Sequence, residues 1–466
     1  MTKNCVSDAL RAGLKKEAPL PVRALLLAAA SAVFFAFARY ARYAMIDQFS
    51  GYRVDELACI TAAMFTAIFA LSGAVQLHIG RRMRVETLLL LLVITGAVLL
   101  GKISLLDYIS DDYEIFLSDW IYKYSQMGLK EGLGCYIGSD YSPPYLYILQ
   151  LISRLDSYPW QYAVKAVSML FEVLMAWALA RLVSLKHSGA LTQLFTFHLA
   201  TLLPTVVFNG AYWGQCDVIY VSLCLTALFM GLTRRSRRCM LLFGMALSFK
   251  LQTVFFLPAL LGLWLRRDIR LRDLWLIPAG YMGMMAPALL GGKSLHHVLT
   301  VYLQQAGSYN FMSVNAPNLY QFLPGLDRKL LYAMFSPMAM ALGFAFLVCV
   351  CAAVCHGRAQ LTQEGVLLAC VLVLAGVPFF LPKMHERYTF GADVLSLALA
   401  VMNPRRVLLP LCFGFASYVC YTAGLAGEQL MALQWAALFQ LAGIVLTAAE
   451  LVRLLRAPER ITEVKA

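Results

Sequence analysis

A succession of uninterrupted apolar runs dominates this 466-residue chain, and several of them reach the roughly 18 residues a helix needs to cross a bilayer. They fall near 22–40, 56–79, 85–106, 162–184, 190–208 and 217–233, then near 274–291, 332–354, 363–381, 388–402, 406–424 and 428–452. Two shorter apolar pieces, near 239–249 and 251–265, are separated by Lys250. The runs are continuous and lack period-two alternation, so a transmembrane barrel is excluded and helices are expected. A soluble fold is excluded too. With 61% hydrophobic and 14% charged residues there is too little polar surface to cover a core. The expected fold is an all-α polytopic membrane protein of about 12–14 transmembrane helices with long loops on one side.

The net charge of +13 has a membrane explanation, because Lys and Arg gather in cytoplasmic loops. With the N-terminus placed inside, the inside segments take Arg81, Arg82 and Arg84, Arg181 and Lys186, and the cluster Arg234 to Arg238. They also take Arg266 to Asp273, Arg358, Arg405, Arg406, and a tail with Arg453, Arg456, Arg460 and Lys465. Most of the 39 Lys and Arg then lie inside, so both termini are expected in the cytoplasm of a multi-pass plasma-membrane protein. The basic N-terminus (Lys3, Arg11, Lys15, Lys16, Arg23) has the look of a signal region. No small-residue cleavage site follows it, and the first run is expected to be a retained span. The basic clusters are short and tied to span ends, which excludes a nucleic-acid partner. The twelve Cys show no paired spacing, and no phosphate loop, dinucleotide fingerprint or metal-binding His spacing is present.

The same topology puts five polar stretches on the other face: about 107–161, 208–217, the turn at Lys250, about 292–330, and "LPKMHERY" (381–388). The first opens with Asp111 and Asp112 ahead of "YEIFLSDWIYKY", where an aspartate can cap a helix that carries Tyr113, Trp120 and Ile121. "SDYSPPYLY" follows with Tyr141, Tyr145 and Tyr147, which serve either as interfacial aromatics or as stacking faces for a sugar. "FNGAYWGQCD" carries Asn209, Trp213, Gln215 and Asp217; Asp217 is placed as a helix cap or as part of a carbohydrate-binding set. Lys250 and Gln252 sit at a helix break, where a charge is costly and usually faces a cavity. Asn315 and Asn318 follow in a loop of little charge, and then His385, Glu386, Arg387 and Tyr388, which can together hold an anion.

In this order, "DDYEIFLSDW", "DYSPPYLY", "FNGAYWGQCD", "LSFKLQ", "SVNAPNLY" and "LPKMHERY" resemble the bacterial relatives of the GPI second-mannose transferase (PIG-V type), within the GT-C superfamily of polytopic glycosyltransferases. The resemblance covers about residues 90–405. It leaves 1–80 as two extra N-terminal spans and 406–466 as C-terminal spans and tail. It implies a GT-C fold and inverting transfer of a hexose, mannose above all, from a polyprenyl-phosphate donor to an extracytoplasmic glycan or lipid acceptor. It makes Asp112 the catalytic base, with Asp111 as the neighbouring alternative, and Lys250, His385 and Arg387 the cations around the donor phosphate. Lys102 stands where relatives tend to carry an Arg. No cofactor is required, and a divalent metal is compatible with such a site but not demanded by it. A lipid-linked-sugar flippase or other transporter is the rival, and it should show matching polar features in both halves of the chain.

Overall fold

The computed structural model describes residues 19–46, 53–81, 83–155, 158–307, 310–323, 328–425 and 430–456. Lys3, Arg11, Lys15, Lys16, Arg82, Arg460 and Lys465 lie outside the described residues. The chain is almost wholly helical. Among the described residues eight helices are long and apolar enough to cross a membrane: Leu20–Met45, Val54–Ile79, Val85–Ile103, Trp160–Val183, Lys329–His356, Gln363–Phe380, Pro404–Leu425 and Leu433–Leu455. Counting each of two bent pairs as one span gives up to ten. Ala190–Leu202 continues into Pro204–Trp213 with a 54° bend, and Leu271–Leu290 into Leu295–Gln305 with a 116° bend.

The larger number expected from the sequence counted every apolar run as a crossing. Several of those runs are short helices enclosed by others. Asp217–Leu232 has 16 residues, about 24 Å of helix, and every one of them except Met230 is buried. A helix that is apolar all round can be wrapped in protein or in lipid, and composition does not distinguish the two. Lys329–His356, by contrast, keeps only 22% of its apolar window buried and stands at the periphery.

The break at Lys250 forms as the charge placement suggests. The helix Ser236–Phe249 stops at Lys250, whose backbone is extended, and a 3-10 turn Leu251–Phe255 leads into Ala259–Leu265. Leu263 comes back against Gly231 and Cys239, so this arm returns to the end from which Ser236 started. Lys250 is thus the tip of a hairpin.

One end of the bundle collects basic residues and their partners. Lys186 and Arg406 share Glu364 at 2.7 and 2.6 Å, and Arg234 and Arg266 meet Asp268 at 3.5 and 2.8 Å. The other end carries the long loops. Short helices Ser118–Ser125, Leu129–Gly134 and Pro143–Ile152 cover it, joined by Leu295–Gly307.

The N-terminal helices Leu20–Met45 and Val54–Ile79 do not stand apart from the rest. Thr61 Oγ1 bonds Tyr158 OH at 3.0 Å, and Arg42 reaches Asp107 in the first long loop. The two extra N-terminal spans are thus bonded to the first long polar stretch.

Candidate active site

The loop end holds a cavity of about 450 Å³. Asp112, Trp120, Tyr141, Tyr145, Gln215, Lys250, Gln252, His385, Arg387 and Tyr388 all line it, so four separate polar stretches of the chain meet there.

The floor is built by a widened helix. Phe208–Trp213 is a π-helical segment that ends at Gly214, whose φ of +80° suits a residue without Cβ. The next helix starts directly at Asp217, and Cys216, not Asp217, takes the cap position. Asp217 is fully buried. Lys250 Nζ lies 2.5 Å from its Oδ1, and Asn209 Nδ2 donates to Oδ2 at 3.0 Å.

Arg387 is the hub. Its guanidinium stacks over the Trp213 ring at 4.9 Å. Nη1 donates to Asp112 Oδ2 at 3.3 Å and to Glu386 Oε1 at 3.4 Å, and Nε lies 3.9 Å from Asp217 Oδ2. Three carboxyl groups thus surround one guanidinium.

Asp112 is not a helix cap. Its backbone is already helical, and Ser110 Oγ accepts from Tyr113 N at 3.3 Å in the capping role. The Asp112 carboxylate instead receives Gln215 Nε2 at 2.6 Å, on the same Oδ2 that meets Arg387. Its side chain is 33% exposed on the cavity wall. Asp111 is exposed and lies outside the lining, and it supplies no side-chain cap.

The "KMHERY" stretch is stitched to the Asn315 loop. Ser313–Val314 pairs in parallel with Met384–His385, Asn315 bridges to His385, and Lys383 N donates to Phe311 O at 3.0 Å. Lys383 has φ +63° and Asn315 φ +52°; Asn tolerates this region, whereas for Lys it costs about 1–2 kcal/mol. The effect is to turn the Lys383 side chain to the cavity wall, with Nζ 5.1 Å over the Tyr332 ring.

His385 is buried beside Tyr388, with ring centroids 5.1 Å apart. Burial, with Arg387 and Lys250 adding to it, pulls its imidazole down to about 2, so it is neutral. It can offer a hydrogen bond but no cationic grip. Glu386 is buried behind the lining, close to Gly424, and burial pushes its carboxyl up to about 7 against the pull of Arg387.

Several sequence candidates stay outside the cavity lining: Tyr113, Trp213, Asp217, Asn315, Asn318 and Glu386. Asn318 does local work, its Oδ1 accepting from Tyr320 N at 3.2 Å and its Nδ2 reaching Met312 O at 3.4 Å. Lys102 does not approach the cavity. It is buried against Glu172 of Trp160–Val183 in a hydrogen-bonded ion pair, which removes it from the set of phosphate-binding cations.

Asp140, Gln305 and Tyr332, which the sequence did not single out, also lie on the lining, as does Lys383 of the "LPKMHERY" stretch. Asp140 sits between Ser139 and Tyr141. Burial pushes its carboxyl up, while Arg387 and Lys250 draw it back down. Its signal was an acid next to the Pro143–Pro144 helix start, hidden among aromatics.

The lining also includes the apolar residues Leu251, Val254, Phe255, Met340 and Leu381. Among the described residues no group of three or more His, Cys, Asp or Glu is placed to hold a metal ion. No family model matches the sequence, and no curated protein does.

Proposed function

We propose that this chain is a membrane glycosyltransferase that moves a hexose, with mannose the first candidate, from a polyprenyl-phosphate donor to a hydroxyl of a glycan or lipid acceptor. The observation that carries the reading is a cavity whose lining is divided between charged groups, among them Asp112, Arg387 and Lys383, and apolar ones such as Leu251, Phe255 and Met340. That division matches a donor with a charged head and a hydrocarbon tail. The basic residues at the opposite end of the bundle support a cavity on the extracytoplasmic side.

The chemistry is one displacement. The acceptor hydroxyl gives its proton to Asp112 as its oxygen bonds the anomeric carbon from one face. The bond from that carbon to the donor phosphate oxygen breaks on the other, inverting the centre. Polyprenyl phosphate leaves with the bonding pair, and Arg387 and Lys383 stabilise its charge, which makes a general acid unnecessary. Gln215 and Arg387 both hold Asp112 Oδ2, which aims the carboxylate. Lys250 contributes by neutralising Asp217 beneath the site, and His385 by a neutral hydrogen bond. Tyr141, Tyr145 and Trp120 offer faces for the sugar ring.

The test is transfer in liposomes from labelled polyprenyl-phosphate-mannose, then from the glucose donor, to a panel of lipid and glycan acceptors. Label should reach an acceptor with wild type and not with Asp112→Asn, while Asp111→Asn stays active. Transfer that survives Asp112→Asn would move the base to Asp140. No transfer from any donor, with labelled lipid crossing the bilayer, would replace the reading with a flippase.

A further inference from the structure

Arg42 heads the fully buried large side chains of the bundle, and it sits in the first apolar helix. A buried guanidinium there is costly and calls for dedicated partners. It has them in the first long loop and the helix that follows. Nη1 donates to Asp107 Oδ2 at 2.7 Å and Nη2 to Oδ1 at 2.5 Å, a two-pronged grip. Tyr162 OH bonds both Arg42 and Asp107, and its ring lies 4.7 Å from the guanidinium carbon.

The backbone around Asp107 is pinned from a second side. Lys165 Nζ donates to the carbonyls of Leu105, Leu106 and Tyr108 at 2.8, 3.1 and 2.6 Å. A third set of contacts ties the segment to the cavity floor. Tyr108 stacks on Tyr212 at 3.7 Å, and Ser110 Oγ donates to the carbonyl of Trp213 at 3.1 Å. Two residues later comes Asp112. The path from Arg42 to Asp112 is therefore a short stretch of chain held at Asp107, Tyr108 and Ser110.

We propose that Arg42 is a positioning residue: by clamping Asp107 it sets where the Asp112 carboxylate stands, so the N-terminal helix pair is a working part of the site. The inference rests on Asp112 acting as the base. Arg42 touches neither substrate nor reacting atoms, and its removal should leave the donor cavity intact.

The experiment compares wild type, Arg42→Met, Arg42→Lys and Asp107→Asn in the liposome transfer assay, together with hydrogen exchange of residues 105–125. Arg42→Met and Asp107→Asn should lower kcat about tenfold to a hundredfold with donor KM within about twofold, as expected when a reacting group is misplaced. Arg42→Lys should recover part of the loss, since it keeps the charge but not the fork. Exchange over residues 105–125 should quicken about tenfold or more in both clamp variants while the C-terminal helices stay protected. Should Arg42→Met fail to fold, Asp107→Asn decides, because Asn keeps the volume of the half-exposed Asp107 and an oxygen that still accepts from Arg42. Wild-type kcat in the clamp variants, or unchanged exchange over 105–125, overturns the proposal. Absence of transfer in wild type overturns the functional reading instead, and the exchange measurement still judges the clamp.

Discussion

Lys250 and Asp217 form an ion pair of 2.5 Å in which neither side chain is more than 4% exposed. Each charge depends on the other, because a buried carboxylate or ammonium left alone keeps its full desolvation cost. Lys250→Met should therefore destabilise the fold by about 3–5 kcal/mol, as should Asp217→Leu. The double substitution should recover most of that loss, since an apolar pair of similar size replaces the ion pair. Thermal unfolding of the four proteins in detergent measures the coupling. Additive losses would mean that the two side chains do not depend on each other.

Arg387 and Trp213 are a second interdependent pair, with the guanidinium 4.9 Å from the ring centroid. The stack contributes about 0.5–2 kcal/mol and fixes the plane from which Nη1 reaches Asp112. Trp213→Leu should thus lower transfer through Arg387, although Trp213 itself does not line the cavity. Arg387→Lys should lower it further, since an ammonium cannot serve Asp112 and Glu386 from one rigid plane. A ranking of wild type above Trp213→Leu above Arg387→Lys is expected in the transfer assay. Equal activity of Trp213→Leu and wild type would remove the ring from the argument.

The sequence made the helices legible because apolar runs have a length scale, and it made Lys250 legible because a charge between two short runs needs a cavity. The meeting of the loops was legible from charge counting, since Asp112, Gln215, Lys250 and Arg387 all fall in segments outside the basic clusters. What stayed hidden was pairing. Arg42 and Asp107 stand 65 positions apart, and each alone looks like an interfacial charge. Lys102 and Glu172 stand 70 apart in two apolar runs; two opposite charges in such runs were a readable hint of a buried pair. Asp140 was missed because the tyrosines beside it offered a sufficient reason for the segment. The state of His385 was hidden as well, because burial and two nearby cations, not residue type, decide that it is neutral.

Gly134 and Gly291 mark where the loop layer rests on the bundle. A Cβ on Gly291 would stand 2.7 Å from Gly134 N, and one on Gly134 would stand 2.0 Å from Gly291 O. Both obstacles are backbone, so no side-chain rotation relieves them. Gly291→Ala should cost about 1–3 kcal/mol by forcing the helix Leu129–Gly134 away from its seat. Gly283→Ala, inside the helix Leu276–Leu290 that ends at Gly291 and with open space around it, is the control and should leave stability unchanged or slightly raised. Equal melting temperatures for the two variants would mean that the loop layer yields freely.

Glu386 and His385 make opposite contributions to the pH dependence of stability. Burial raises the Glu386 carboxyl from 4.5 to about 7, so the folded protein keeps a proton that the unfolded chain releases. Its stabilising effect is fully present below pH 4.5 and is lost as the pH climbs through about 7, with a total of roughly 3 kcal/mol. Burial lowers His385 from 6.5 to about 2, so its effect is fully present above 6.5 and is lost as the pH falls. Between pH 4.5 and 6.5 the two slopes oppose each other, and the wild type should change little on their account. Glu386→Gln removes one slope and retains an oxygen for Arg387. Its melting temperature should climb from pH 4.5 to 6.5, and its advantage over wild type should widen up to pH 7. A difference that stays constant across that window would mean that Glu386 is already ionised in the folded protein at pH 4.5.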